Sequence, residues 1–523
     1  MSTTVSEVRS AAQVVTTDSR RRWVAVIALA RFEARELFLQ IPMFVLFLAY
    51  VVSAGWELWQ GDDEAGPYPV LQDVDRSTQW SSSVLLWIAL VICVHRAVLR
   101  SRQQGTDRHF DVLVMEPWRR TVAHALSVVP FALVTALVVA VQYTWAAVRP
   151  GAVGSGSFFE LVVGPLSVLF FGVVGVLLGR VVPSTFALPL LVVGAFVAAE
   201  TLTAATDDAH WVDWLMPVVD DNQSIPLPSD LLGRPAAWHA LYLAALTVLM
   251  MCAAVLVSGG RTRVVKAVAA GAAALTLVGA VGQSRGESSA LLAARERASV
   301  APEKVQTCIR HDRSTYCAFP EWARQTGDWA SVVRRVQSLA GGSAAGTKLT
   351  VRQRVNLRYG ISGSASIDPS STPGQVTVGT AWGGNRIPEF AVGVASVLVA
   401  GDEESGSLLC DARVIPVMWL ALGTMDDPLT TFRALRLDDS ERGSAVVLTP
   451  TNPLPMTALQ TEVVRELLQR PRYSITAKVK AHWTELTSPE TSVTRAAELL
   501  DVSVPKGDGG EDLEDECGTV TVG

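Results

Sequence analysis

Residues 105–124 read GTDRHFDVLVMEPWRRTVAH, a charged stretch between two strongly apolar segments. Gly105 and Thr106 can open a short helix, with Thr106 as its N-cap and Asp107 favoured in the first turn. Phe110, Leu113 and Val114 then share one side. Pro117 stops that helix, and Arg119 and Arg120 anchor the next segment at the level of lipid headgroups. Such an element offers a partner an apolar face flanked by Asp107, Asp111 and Glu116. By composition alone an ordinary positively charged membrane loop fits equally well.

The flanking chain decides the fold class. With 523 residues, 49% of them hydrophobic, and a mean hydropathy of +0.31, the chain is too apolar to be wholly soluble. Seven windows before about residue 283 are nearly free of charge: Leu37 to Trp56, Ser82 to Val98, Val122 to Val148, Phe158 to Leu178, Thr185 to Ala205, Ala237 to Val257 and Val265 to Val281. At about 1.5 Å per helical residue each crosses most or all of a roughly 30 Å hydrocarbon core. The second and seventh are the shortest.

Positive residues near span ends stay on the cytoplasmic side. Arg20, Arg21, Arg22, Arg31 and Arg35 precede the first span; Arg96, Arg100, Arg102, Arg108, Arg119 and Arg120 end or follow the second. Arg180 follows the fourth, Arg261 and Arg263 follow the sixth, and Lys266 opens the seventh. The alternate loops carry Asp62, Asp63, Glu64, Asp73 and Asp75, then Asp207, Asp208, Asp213, Asp220, Asp221 and Asp230, against Arg76, Arg149 and Arg234. An odd number of spans then places everything after about Gly282 outside, with length enough for a domain. The first twenty residues are polar, so the first span is expected to act as the insertion signal. From Arg20 to Phe38 apolar and charged residues mix as in a helix lying in the interface, or as in a plain extension of the first span.

Cysteine usage bears on the same topology, because oxidising compartments favour pairs. Cys93 and Cys252 fall within spans, whereas Cys308, Cys317, Cys410 and Cys517 all fall in the outer region. Cys308 and Cys317 bracket IRHDRSTY, which a hairpin can close, so Cys308 with Cys317 and Cys410 with Cys517 is the preferred pairing of three. A metal site on Cys308, His311 and Cys317 is the rival, but no CxxC or close histidine pair completes it.

Catalytic signatures are weak. GGSAAGTK at 341–348 has lysine and threonine in the wrong order for a phosphate-binding loop and leads into strand-like LTVRQRVNLRYG. HExxH and GxSxG are both missing. Within the spans Glu200 is the main ionisable residue, expected as a solvated cap near the interface, and Glu160 likewise sits at a span start. Pro130, Pro165 and Pro189 can bend their helices.

The outer region reads as α+β or mainly helical. PEWARQTGDWASVVRRVQSLAG puts Trp322, Trp329, Val332, Val333, Val336 and Leu339 at helical spacing. TKLTVRQRVNLRYG and GQVTVGTAWGG alternate as strands or a hairpin. Phe390 to Ala400 and Val414 to Met425 are too short to cross a bilayer and are expected as core helices. Helical patterns recur at Thr457 to Gln469, Ser474 to Leu486 and Thr491 to Leu500. The tail GDGGEDLEDECG is expected to be mobile unless Cys517 ties it down.

QQGTDRHFDVLVMEPWRRTVAHAL resembles the coupling segment of type-2 ABC exporter permeases: an arginine-rich lead, Gly-Thr, an apolar turn with an acid, then Pro and Arg before the third span. FFGVVGVLLGRVVPSTFALPLLVV is similar to the small-residue-rich hairpin of that family, with Gly179, Arg180, Pro183 and Ser184 at its turn. The likeness covers roughly residues 20–258. Asp107-Arg108-His109 departs from the family's apolar-acid pair after Gly-Thr. With its CIRHDRSTYCAFPEWA stretch and only six lysines beside 38 arginines, the whole resembles actinobacterial permeases carrying an appended extracytoplasmic region.

The resemblance implies a polytopic α-helical membrane protein: a cytoplasmic N-terminus and interfacial helix (1–36), a six-span permease domain (37–258), a seventh span (259–282), an extracytoplasmic domain (283–505) and an acidic tail (506–523). It implies a subunit of an exporter in the plasma membrane, dimerising with itself or with a second permease and meeting lipid but no nucleic acid. ATP and Mg would be bound by a separate ATPase, leaving this chain without catalytic residue, metal or cofactor. Contact with that ATPase would fall by position on Gly105, Thr106, Asp107, Phe110, Asp111, Glu116, Pro117 and Arg120. The other readings are a membrane-anchored extracytoplasmic enzyme, degenerate and metallopeptidase-like, and a ligand-binding sensor.

Overall fold

A computed structural model describes residues 22–60, 68–74, 83–103, 115–182, 184, 193–194, 197–198, 201, 213–217, 219, 226–358, 367–437 and 443–503. Most of the expected fifth span, Glu200 included, and Pro189 lie outside these residues, as does the acidic tail.

The first part is a helical bundle. α1 (Arg22–Leu39) meets α2 (Ile41–Gln60) at a bend of 78°, so Leu37, expected in the first span, belongs to the crosswise helix instead. Its Val26 and Ala30 are buried while Trp23, Val24 and Ile27 are exposed. α3 (Ser83–Gln103) follows, then α4 (Pro117–Leu126) and α5 (Val129–Val148), which together make one 32-residue apolar rod. Proline fits at the first helical position, where its missing N–H is no loss. The third rod therefore begins at Pro117, five residues before the expected Val122. Pro130 explains the break at Ser127 and Val128, since a proline inside a helix removes a backbone bond.

α6 (Phe158–Val181) runs through the middle of the bundle against α3, α5 and α8 (Ala236–Val257), and α9 (Arg263–Gln283) lies outside against α8. Before α8 comes the one-turn α7 (Ser229–Leu232). Among the described residues four helical stretches are each long and apolar enough to cross a membrane, and a fifth if α1 and α2 count as one span. Small residues set the closest approaches, as expected where lipid tails supply no hydrophobic drive between helices. A Cβ on Gly175 would lie 2.9 Å from the Val91 carbonyl oxygen of α3, and one on Gly279 of α9 would lie 2.9 Å from the Tyr242 backbone of α8. Gly179 likewise abuts Val98, so the Gly175-xxx-Gly179 face of α6 fits α3.

The second part is α+β. α10 (Ser289–Val300) leads from α9 to the hairpin β1 (Thr307–His311) and β2 (Ser314–Ala318). Register sets Cys308 directly opposite Cys317, their Cα atoms 4.0 Å apart and bridged by a disulfide. Asp312 turns the hairpin with φ of 53°, a conformation aspartate tolerates better than most residues. α11 (Thr326–Leu339) crosses over to β3 (Thr350–Gln353), which pairs parallel with β2 and with β4 (Gln375–Val378). The two alternating stretches are thus strands but not a hairpin: their order in the sheet is β1-β2-β3-β4.

α12 (Arg386–Ala400) and α13 (Val414–Leu422) are the two short apolar stretches, and every residue of α13 is buried. α14 (Ala458–Leu468), with a capping box of Thr457 and Gln460, packs on α13. α15 (Arg472–Ala481) and α16 (Val493–Leu500) complete the core. Trp322, Trp329, Val332, Val333, Val336 and Leu339 are all buried in it. Cys410 belongs to a disulfide; Cys517, its expected partner, lies outside the described residues.

Candidate functional site

The helix ends sort into two groups. Loop residues Gly151 and Val153, and Leu227, Leu231 and Leu232 around α7, lie against the C-terminal domain. The start of α4, the end of α6 and the turn after α8 lie at the opposite, domain-distal end.

At the distal end charges converge. Arg100 of α3 donates to Glu33 of α1 at 2.8 Å and to Glu36 at 3.1 Å. His124 of α4 lies 3.8 Å from the same Glu33 oxygen. His95 of α3 meets the Val182 carbonyl at the end of α6, 3.1 Å away. Thr121 of α4 donates to Ser258 after α8 at 2.6 Å, and Trp118 packs on Gly260. The crosswise helix, the rod after residue 115 and three other helix ends are therefore joined by short polar contacts.

Of the residues assigned to the coupling contact, Gly105, Thr106, Asp107, Phe110 and Asp111 lie outside the described residues. Glu116 is exposed at the N-cap of α4 and pairs with Arg119 at 2.8 Å. Pro117 is exposed at the helix start, and Arg120 is half-buried one turn along. The described members of the set thus share one helix start, on the end of the bundle away from the C-terminal domain.

The domain-proximal end holds a cavity of about 340 Å³ lined by Gln72, Ser155, Ser157, Glu160, Asp230 and Arg234 among others. Ser229 is its polar hinge: its hydroxyl accepts from the Ser155 N–H at 3.0 Å and donates to Gln72 Oε1 at 3.2 Å. Gln72 in turn donates to the Leu227 carbonyl, and Arg234 donates to the Gln72 carbonyl at 3.0 Å. Gly154, at φ of 81°, lets the chain pass Gln72, whose Oε1 would lie 2.1 Å from an added Cβ.

Glu160, in the first turn of α6, is 4% exposed and lines this cavity. Its expected place at a span start holds, with the side chain turned away from bulk solvent. A helix N-terminus favours a carboxylate there. Deeper in the bundle His239 is 2% exposed; its Nδ1 lies 3.2 Å from Gln283 Oε1 of α9, and its ring contacts Trp214 and Tyr242. Tyr242 donates to the Leu215 carbonyl at 3.1 Å. Polar side chains inside apolar helices are expensive and mark function by default.

The C-terminal domain is fastened to the rim of the cavity. Glu321 accepts from the Ser229 N–H, Gln325 donates to the Gly151 carbonyl at 2.8 Å, and buried Arg295 donates to the Leu231 and Leu232 carbonyls at 2.8 and 2.9 Å. Arg295 also pairs with Glu287. Sequence reading missed Gln72, Ser229, Arg295 and Glu321. The one available signal was local: Ser-Asp-Leu-Leu-Gly at 229–233 is a helical turn closed by a left-handed Gly233, φ 70°.

Within the domain, one deeply buried carboxylate is structural. Glu403 accepts from the Ser370 N–H, the Thr377 N–H and the Thr377 hydroxyl and lies 3.7 Å from Arg354. Among the described residues no group of three or more His, Cys, Asp or Glu side chains could hold a metal ion. The chain was compared with family models, with curated proteins and with solved structures, and nothing matched in any of the three.

Proposed function

We propose that this chain is the membrane subunit of an exporter, worked by an ATPase on a separate chain that docks on residues 105–120. The observation that carries this reading is the polar junction at the domain-distal end, where Arg100 ties α1 to α3 and Thr121 ties α4 to the end of α8. A push on the segment between α3 and α4 is thereby delivered to several helices at once. Soft lipid contacts alone would dissipate it.

The path of the chain agrees. α2, α3, α5 and α6 alternate between the two ends, and the chain passes from Val182 at the distal end to Asp213 at the proximal end before α8 and α9 continue the alternation. Seven passes follow if residues 183–212 make the fifth. The arginine-rich loops then share the distal end, as cytoplasmic loops do. The disulfide-bearing domain lies across the membrane from them, in keeping with an oxidising compartment. By the likeness to type-2 permeases the working unit is a dimer in the plasma membrane, with ATP and Mg held by the partner.

The reading is tested by purifying the chain with its ATPase after changing Asp111 and Glu116 together to lysine. Loss of the ATPase from the complex, with insertion and the C-terminal domain intact, is the expected result. Undiminished co-purification and transport would refute the docking role.

A further inference from the structure

We infer that Gln283, the last residue of α9, is a latch through which the C-terminal domain holds residues 213–217 seated among α6, α8 and α9. This stretch is one short turn, Asp213–Leu215, and the two residues after it. Backbone of this kind is tolerated inside an apolar bundle only where protein groups or water satisfy it. Here three side chains do so, each from a different helix. Gln283 of α9 donates to the Trp214 carbonyl, Tyr242 of α8 to the Leu215 carbonyl at 3.1 Å, and Ser167 of α6 to the Pro217 carbonyl at 3.1 Å. Ser167 lies about 14 Å along α6 from its domain-proximal end at Phe158. The stretch therefore reaches well into the bundle.

Gln283 differs from the other two donors in what it joins. Its Nε2 is committed to the Trp214 carbonyl, so its Oε1 accepts from His239 Nδ1 at 3.2 Å, and one buried amide ties the stretch to α8 as well as to α9. Gly279 and Gly282 bring α9 onto Tyr242 and Trp238 of α8 close by. Beyond Gln283 the chain enters α10, where Arg295 donates to the Leu231 and Leu232 carbonyls of α7. Glu321 also holds α7, through the Ser229 N–H. The side chain that grips Trp214 and the chain that leaves Pro217 thus lead to the same contact between domain and rim. A shift of the domain acts on the latch through α10 and on the stretch through α7. On the exporter reading, an unlatched stretch opens the domain-proximal half of the bundle to water. The latch itself does not rest on that reading, and its test needs neither ATPase nor cargo.

The test uses the full chain carrying Leu215→Cys in lipid nanodiscs, with its reaction with a charged methanethiosulfonate followed by intact-mass spectrometry. Chain without that substitution sets the background, and protection of the buried Cys93 and Cys252 reports that the bundle stays folded. Gln283→Met keeps the bulk of the side chain but loses both hydrogen bonds. It should raise the rate at 215 at least about fivefold, the factor expected for one lost hydrogen bond. Should it expose Cys93, Gln283→Asn, whose shorter side chain cannot reach both partners, makes the same comparison. Glu321→Ala should raise the rate several-fold in the parent chain and add little once Gln283 is replaced, because positions acting through one contact are not additive. Tyr242→Phe, which frees the Leu215 carbonyl at α8, should also raise the rate yet leave the effect of Glu321→Ala in place. An unchanged rate on replacing Gln283, no effect of Glu321→Ala, or an effect of Glu321→Ala that is undiminished without Gln283 overturns the inference.

Discussion

Ser229 and Glu321 join the two parts of the chain: the Ser229 N–H donates to both oxygens of the Glu321 carboxylate, at 3.3 and 3.1 Å. The bond fixes the start of α7 to the C-terminal domain at the rim of the cavity. A hydrogen bond to a charged group contributes about 1.5–3 kcal/mol. Glu321→Gln is expected to weaken the attachment by about 1 kcal/mol and Glu321→Ala by more. Hydrogen exchange should then speed up at 227–235 and stay unchanged across β1 and β2. Unchanged exchange at 227–235 would mean that the contact holds nothing.

Gly175 marks a close approach of α6 to α3, and its nearest neighbour is backbone rather than a movable side-chain tip. Gly175→Ala should destabilise the bundle by about 1–3 kcal/mol, as overpacking does. Gly271→Ala, on α9 where nothing lies within 4 Å, should be neutral. Thermal unfolding in nanodiscs compares the two, and equal effects would contradict the packing described.

Linking Cys308 to Cys317 closes a short loop, a separation of nine residues. Chain-entropy reasoning gives such a crosslink about 2–3 kcal/mol. Replacing both cysteines with serine should lower stability by that amount. Mass spectrometry of chain taken from cells without reductant should find the linked peptide; free thiols at both positions would contradict an oxidising location for the domain.

Two buried glutamates give the domain a pH signature. Burial raises the Glu389 carboxyl above its ordinary 4.5, partly offset by the hydrogen bond and charge of Arg386. Burial raises Glu403 as well, offset by its bonds to Ser370 and Thr377. The native state thus holds these protons to higher pH than the unfolded chain. Their contribution to stability is fully present below about 4.5 and is lost as pH rises through the raised values. Glu466, held low by its bonds to Arg470 and Ser503, contributes above about 4.5 and loses that contribution only as pH falls below it. Glu389→Gln should flatten the fall in melting temperature between pH 4.5 and 7, and an unchanged slope would count against its burial.

What was legible in the sequence was whatever periodicity and composition control. The apolar rods, the helix of Trp329 to Leu339 and the hairpin closed at Cys308 and Cys317 each follow from local pattern. The break at Gln40, which removed Leu37 from the first span, was half legible: the mixed charge of Arg20 to Phe38 and Pro42 mark it locally, but the 78° bend depends on how α1 lies across the bundle. Pro117 was legible as a boundary, yet the described chain shows it opening a helix. The parallel pairing of β3 with β4 was hidden because alternation reports a strand and not its partner. The cavity was illegible for the same reason: Gln72, Glu160 and Ser229 are far apart in the chain and meet only through tertiary contacts.

The most direct test of the account is labelling of single cysteines in intact cells with a membrane-impermeant maleimide, at Asp111→Cys and at Leu408→Cys, whose parent leucine is 78% exposed. Background labelling is set by chains carrying neither substitution. Position 408 should label in intact cells, and position 111 only after the membrane is opened. Labelling at 111 from outside, or protection at 408 until lysis, would contradict it.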